Sequence, residues 1–169
     1  IRFHRSVTPN SRAQLDLASG RCLTYRQLDD RVERIAVVLK QLGIQRGDRV
    51  AYLALNSTDV TDLVFACWRI GASALALNHR LTAGELGFIV LDAAPRAILV
   101  DQTMLMLSSG TTGKPKGVVI THRMMTFSGI NAQTGFDMNR STVSLTVMPL
   151  FHIGGFSMAT NPIYAGGVS

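Results

Sequence analysis

Cysteine is almost absent from this chain. Cys22 and Cys67 are the only two in 169 residues, neither belongs to a Cys-x-x-Cys pair, and both sit in apolar or helical context. Two buried thiols are expected, with neither a disulfide framework nor a metal site. Long hydrophobic runs are missing too. None approaches the roughly 18 to 20 residues that cross a bilayer, and Ile1-Arg2-Phe3-His4-Arg5 has no apolar core of the kind a secretory leader needs. A cytoplasmic protein with no transmembrane segment is expected, and the lack of an initiator Met suggests that it begins before Ile1. Lysine is scarce, at 3 against 14 arginines. The net charge of +6 therefore rests on arginines set singly between Arg2 and Arg140. They form no run and have no interleaved aromatic platform, so a solvated face is expected and no nucleic-acid partner.

What is present suits one globular α/β unit, with 47% hydrophobic and 17% charged residues. Thr24 and Gln27 have the spacing of a capping box. The helix they open carries Leu28, Val32, Ile35, Leu39 and Leu42 on one stripe and stops at Gly43. Asp30 and Arg34, one turn apart on its other face, are expected to pair in solvent. Arg49 to Leu55 is a nearly continuous apolar run, the pattern of a strand covered on both faces. Asn56-Ser57 starts a second helix, with Asp59 and Asp62 in its first turn and Val60, Leu63, Val64, Cys67 and Ile70 on its stripe. Gly71 ends it. Ser73 to Leu77 reads as a strand, Thr82 and Glu85 as a second capping box, and Ala97 to Val100 as a third strand. Alternation of this kind implies parallel strands joined by right-handed crossovers. Further on, Thr121-His122 caps a helix from about Arg123 to Gln133, and Val143 to Met148 alternates like a strand. No internal repeat or low-complexity tract is visible.

One junction is physically odd. After Val100 only Asp101-Gln102-Thr103 intervene before the apolar run Met104 to Leu107. A parallel crossover needs about a dozen residues or more, and a tight hairpin would favour Asn-Gly or Asp-Gly. A segment is therefore expected to be missing near residues 101–104, either disordered and left out or deleted, with a continuous chain through an unusual bend as the alternative.

The chemistry concentrates in Leu107 to Gly117, between that run and the apolar Val118-Val119-Ile120. Converging backbone N–H groups, hydroxyls and a lysine are what phosphate oxygens require. Ser108, Ser109, Thr111, Thr112, Lys114 and Lys116 supply the side chains, and Gly110, Gly113 and Gly117 let the backbone come close. The loop is not a Walker A motif, because Ser108 stands where the first glycine belongs and Pro115 where the metal-binding hydroxyl belongs.

Ser108-Ser109-Gly110-Thr111-Thr112-Gly113-Lys114-Pro115-Lys116-Gly117 resembles the signature loop of the adenylate-forming superfamily. That superfamily includes acyl- and aryl-CoA synthetases, the adenylation domains of peptide synthetases and firefly luciferase. Leu23 to Leu28, Gly47 to Val50, Leu77 to Leu81 and Pro149 to His152 are similar to successive landmarks of its large N-terminal domain, in the same order. The resemblance implies a layered α/β fold with a largely parallel sheet and flanking helices. Residues 1–169 would then be an incomplete N-terminal AMP-binding domain, without the C-terminal domain.

It further implies a carboxylate–CoA ligase that activates a fatty or aromatic acid with Mg-ATP to an acyl adenylate, and then forms the CoA thioester. Ser108, Ser109, Gly110, Thr111, Thr112, Gly113, Lys114 and Lys116 carry over as the ATP-phosphate cradle, with Lys116 beside the leaving pyrophosphate. His152 resembles the histidine that gates the acyl carboxylate. Expected partners are a small carboxylic acid, ATP and CoA, and a homodimer is compatible with this reading. No metal ligand is assigned.

Other readings also fit the residues. Loading of a carrier-protein thiol is one alternative, although Pro149 to Gly155 is more like the CoA ligases. A non-catalytic nucleotide-binding fragment is another. The superfamily's acidic magnesium motif, ribose-binding aspartate and C-terminal lysine have no counterpart here, so the 169 residues alone should not turn over. A serine hydrolase would need Gly155-Phe156-Ser157-Met158-Ala159 as its nucleophile elbow, which lacks the final glycine and a preceding strand. His4, His79 and His122 lack partners at metal-binding spacing and read as surface or capping residues.

Overall fold

A computed structural model of the chain describes residues 1–100 and 120–169. The chain runs α1 (Arg2–Val7), β1 (Arg12–Leu15), β2 (Cys22–Thr24), α2 (Tyr25–Gln41), β3 (Arg49–Leu53), α3 (Thr58–Ile70), β4 (Ser73–Ala76), α4 (Ala83–Ala93), β5 (Ala97–Val100), α5 (His122–Gly135) and α6 (Ile153–Ala165). Both capping boxes form. Thr24 and Gln27 close the start of α2, and Thr82 and Glu85 that of α4. Thr121 caps α5, its hydroxyl accepting the Met124 N–H at 3.2 Å.

The central sheet is parallel, with strand order β4-β3-β5 and Val50 facing Ala74 on one side and Ala97 on the other. β3 is therefore the middle strand. The chain leaves it through α3 towards β4 and returns through α4 to β5 on the opposite flank. In open parallel sheets such a reversal places ligands at the carboxyl ends of the strands. The core behind the sheet joins α2, α3 and β3 through Tyr25, Leu28, Val32, Leu39, Val50 and Cys67. Burial pushes the Cys67 thiol up to about 12, so it packs as a hydrophobe. Tyr25 also ties the start of α2 to the far end of the chain, its hydroxyl donating to the Gly167 carbonyl at 2.7 Å.

Several expectations are corrected by these contacts. Cys22 is exposed on the edge of the β1–β2 hairpin, and only Cys67 is buried. His4 is buried, its Nε2 3.0 Å from the Tyr164 carbonyl oxygen and its ring stacked at a tilt on Tyr25. The arginines are not simply a solvated face. Arg69 bridges Asp29 and Glu33 and Arg31 bridges Asp59 and Asp62 in the seam where α2 lies against α3, and Arg21, just before β2, reaches Asp59. Asp30 turns to Arg5 at 2.6 Å rather than to Arg34, because α1 packs beside it. Burial acts to raise the Asp29 carboxyl, but hydrogen bonds from Arg69 and Arg5 outweigh it and hold that group below its ordinary value.

Among the described residues Val143 to Met148 does not form the expected strand: its one bridge there is parallel, from Val143 to Val168, and Val143 and Val147 are 78% and 70% exposed. Alternation alone does not make a strand where no strand among the described residues pairs with it. The α6 helix, with Pro162 inside it, carries no strong sequence signal. Its Gly154-Gly155 pair and proline resemble a loop, and its packing through Ala159, Thr160 and Ile163 overrides them.

Candidate functional site

The carboxyl ends of β3 and β4 hold one irregular segment, Met148 to His152. Leu150 anchors it from below, buried among Tyr52, Val60, Val64 and Ala159. Phe151 meets His79, just beyond β4, edge to face at 5.3 Å between ring centroids. From the crest of β3, Asn56 grips the segment by its backbone. Its Nδ2 donates to the Met148 carbonyl at 2.8 Å, and its Oδ1 accepts the Leu150 N–H at 2.9 Å.

His152 follows as the N-cap of α6. Its backbone N–H donates to the Pro149 carbonyl at 3.0 Å, and its carbonyl accepts the Phe156 N–H that opens the helix. The ring is exposed, and Nδ1 accepts the Gly154 N–H at 3.2 Å. A backbone amide can only donate, so in the neutral ring the proton sits on Nε2. That atom is the one left to donate to a ligand oxygen. Gly155 makes the arrangement possible, because a Cβ there would lie 2.3 Å from the Pro149 carbonyl oxygen and 2.5 Å from that of Met148. The first turn of α6 can lie directly on this backbone only where no side chain intervenes.

Of the residues expected to form the site, His152 alone is placed. Ser108, Ser109, Gly110, Thr111, Thr112, Gly113, Lys114 and Lys116 lie outside the described residues. In sequence they fall between β5, which ends at Val100, and α5, which begins at His122. The serine-hydrolase alternative fails on geometry. Ser157 lies in the second turn of α6, with no strand leading into it. Sequence reading missed Asn56, which it used only as a helix start. The one signal available was its place directly after an apolar strand.

A profile of the family described as AMP-binding enzyme matches residues 3–104 and 100–169. Feruloyl-CoA synthase of an Amycolatopsis species is 31% identical over 187 residues, covering 88% of this chain and 38% of that protein. The fatty acid–[acyl-carrier-protein] ligase ScoC of Streptomyces coeruleorubidus is 32% identical over 216 residues, covering 97% and 41%. The solved structure of O-succinylbenzoate coenzyme A synthetase from Bacillus subtilis, in complex with AMP, superimposes with a TM-score of 0.87 at 23% identity, covering 99% of this chain and 53% of that one. That last likeness speaks for the fold. The chain belongs to the AMP-binding enzyme family of the adenylate-forming superfamily and has the α/β architecture of its N-terminal domain. It spans about two fifths of the length of the curated relatives. Among the described residues no helix is long and apolar enough to cross a membrane.

Proposed function

We propose that the protein carrying this chain is an acid–thiol ligase, which activates a fatty or aromatic carboxylic acid with ATP and transfers the acyl group to coenzyme A. The observation that carries the reading is a pairing within one family member. The loop Ser108–Gly117 occurs in the same chain as His152, whose Nδ1 accepts the Gly154 N–H, leaving Nε2 as the donor, without a hydrogen-bond partner among the described residues. In the first step a carboxylate oxygen bonds to the α-phosphorus of ATP and pyrophosphate leaves. Ser108, Ser109, Thr111, Thr112 and the loop amides bind the β- and γ-phosphates, and Lys116 offsets the charge that grows on the leaving group. The His152 Nε2–H donates to a carboxylate oxygen, orienting the acid for attack. In the second step the thiol gives up its proton, its sulfur bonds to the acyl carbon, and AMP departs with the electrons of the broken C–O bond.

Magnesium accompanies ATP in such chemistry. Among the described residues no group of three His, Cys, Asp or Glu could hold a metal ion, and no ligand for it is assigned here.

Carboxylate-dependent ATP–pyrophosphate exchange by the full natural protein is the test. Exchange with aliphatic or aromatic acids is expected, and none across a broad panel would sink the ligase reading. Likeness to an acyl-carrier-protein ligase supports a carrier thiol as the second acceptor. Thioester formed with free CoA distinguishes the two.

We also propose that residues 1–169 form an incomplete N-terminal domain, lacking a segment near residues 101–104 and the C-terminal domain. The alignment with feruloyl-CoA synthase extends over 187 residues yet uses 88% of 169, about 149, so about 38 residues of that relative have no counterpart here. The family profile also divides at residues 100–104. Among the described residues β5 pairs on one side only, and Ile98, Val100 and, on α4, Leu91 are 45%, 53% and 83% exposed. Apolar groups at a sheet edge are what loss of a covering helix and strand leaves behind. Inserting the corresponding segment of a relative between Val100 and Thr103 should raise the melting temperature by several degrees. An unchanged or lower value would count against the missing segment.

A further inference from the structure

Asn56 lies three residues beyond β3, at the crest where the strand order reverses, and its contacts lead to the imidazole of His152 without a gap. Its carboxamide holds the Met148 carbonyl and the Leu150 N–H, at 2.8 and 2.9 Å, from either side of Pro149. The carbonyl of Pro149 receives the His152 backbone N–H at 3.0 Å. The carbonyls of Met148 and Pro149 also form the wall against which Gly155 is pressed. The Gly154 N–H, which orients the ring through Nδ1, belongs to the same turn. Displacement of the Met148–Leu150 backbone would therefore alter both the height of α6 and the direction of Nε2. Leu150 holds the segment by apolar contact, which is non-directional, whereas the carboxamide sets its register with two directed bonds.

We propose that Asn56 is a positioning residue for His152: its carboxamide clamps the Met148–Leu150 backbone so that the His152 Nε2–H is aimed at the acyl carboxylate. The role rests on the ligase reading given above. Asn56 makes no contact with the reacting atoms and acts through the loop it grips. An alanine at 56 removes both bonds. An aspartate keeps the acceptor for the Leu150 N–H but sets a carboxylate oxygen against the Met148 carbonyl.

The experiment uses the full natural protein with two readouts. The first is ATP–pyrophosphate exchange, with KM measured separately for the acid and for ATP. Asn56→Ala is expected to raise KM for the acid about tenfold, the order of one lost charge-assisted hydrogen bond, and to leave KM for ATP within twofold. Asn56→Asp should fall between alanine and wild type. The second readout is the ring-nitrogen spectrum of His152, assigned with His152→Gln. In the wild type it should show a single Nε2–H tautomer, and in Asn56→Ala a mixture. Wild-type exchange with unchanged acid KM in Asn56→Ala overturns the role. So does a parallel loss for both substrates that tracks a lower melting temperature, which is the signature of a merely structural side chain. An absence of exchange in the wild type is a different failure, that of the ligase reading. In that case an unchanged tautomer in Asn56→Ala overturns the clamp independently.

Discussion

Replacing Arg31 by alanine should lower the unfolding free energy by about 3 kcal/mol, the lower end of what is lost when a buried ion pair is left with one member. Asp62 is fully buried under α2, and its Oδ2 accepts the Arg31 Nε–H at 2.5 Å while a second arm of the same guanidinium reaches Asp59. Removing the cation leaves a carboxylate that water cannot reach. Burial pushes the Asp62 carboxyl above its ordinary value, even though Arg31 opposes the shift. A group raised in this way is penalised as the pH climbs through its folded value and relieved as the pH falls, because the native state then binds the proton more readily than the unfolded chain. The deficit of Arg31→Ala should accordingly shrink between neutral and mildly acidic pH. Urea denaturation at both pH values measures it, and a small, pH-independent loss would mean that Asp62 is solvated after all. The double variant Arg31→Met with Asp62→Leu should recover most of the loss, since an apolar pair of similar volume replaces a buried ion pair at little cost.

Lys116→Ala should slow the adenylation step about a hundredfold, a loss typical when one preorganised charge or donor is withdrawn from a developing anion. The expectation follows from the proposed role of the phosphate loop, in which Lys116 acts on the departing pyrophosphate. In that proposal the acid is bound through His152 and not this lysine, so KM for the acid should hold. Melting temperature should hold as well, because the role proposed for the loop is electrostatic. Single-turnover formation of the adenylate, compared with thermal unfolding of the same variant, separates the cases. A rate within threefold of wild type would reject the role, and an equal fall of rate and stability would make Lys116 a structural residue.

Both tests act through parts of the molecule that differ in how legible they were. Helices α2, α4 and α5 were readable because their signals are local. A cap and its partner lie three residues apart, and an apolar stripe repeats every turn, so Thr24 with Gln27 and Thr82 with Glu85 announce themselves. The parallel strands β3, β4 and β5 were readable from continuous apolar runs bounded by glycine and polar turns. The α6 helix was not, since glycine and proline in it argue locally against a helix and only its buried face decides the matter. The segment from Val143 to Met148 shows the reverse, a strand pattern that no strand among the described residues completes.

By itself the sequence determined the class of sheet, the capped helices and, through the likeness of Ser108 to Gly117 to the superfamily's signature loop, the family. These depend on residue types at short spacing. The tertiary structure alone decided how the arginines pair across α2 and α3, that His4 is buried, and which nitrogen of His152 is left to donate. It alone brought Asn56 to Met148 and Leu150, across 92 and 94 residues of chain. A carboxamide's two directed bonds depend on where the fold brings distant backbone, and no periodicity in the chain records that meeting.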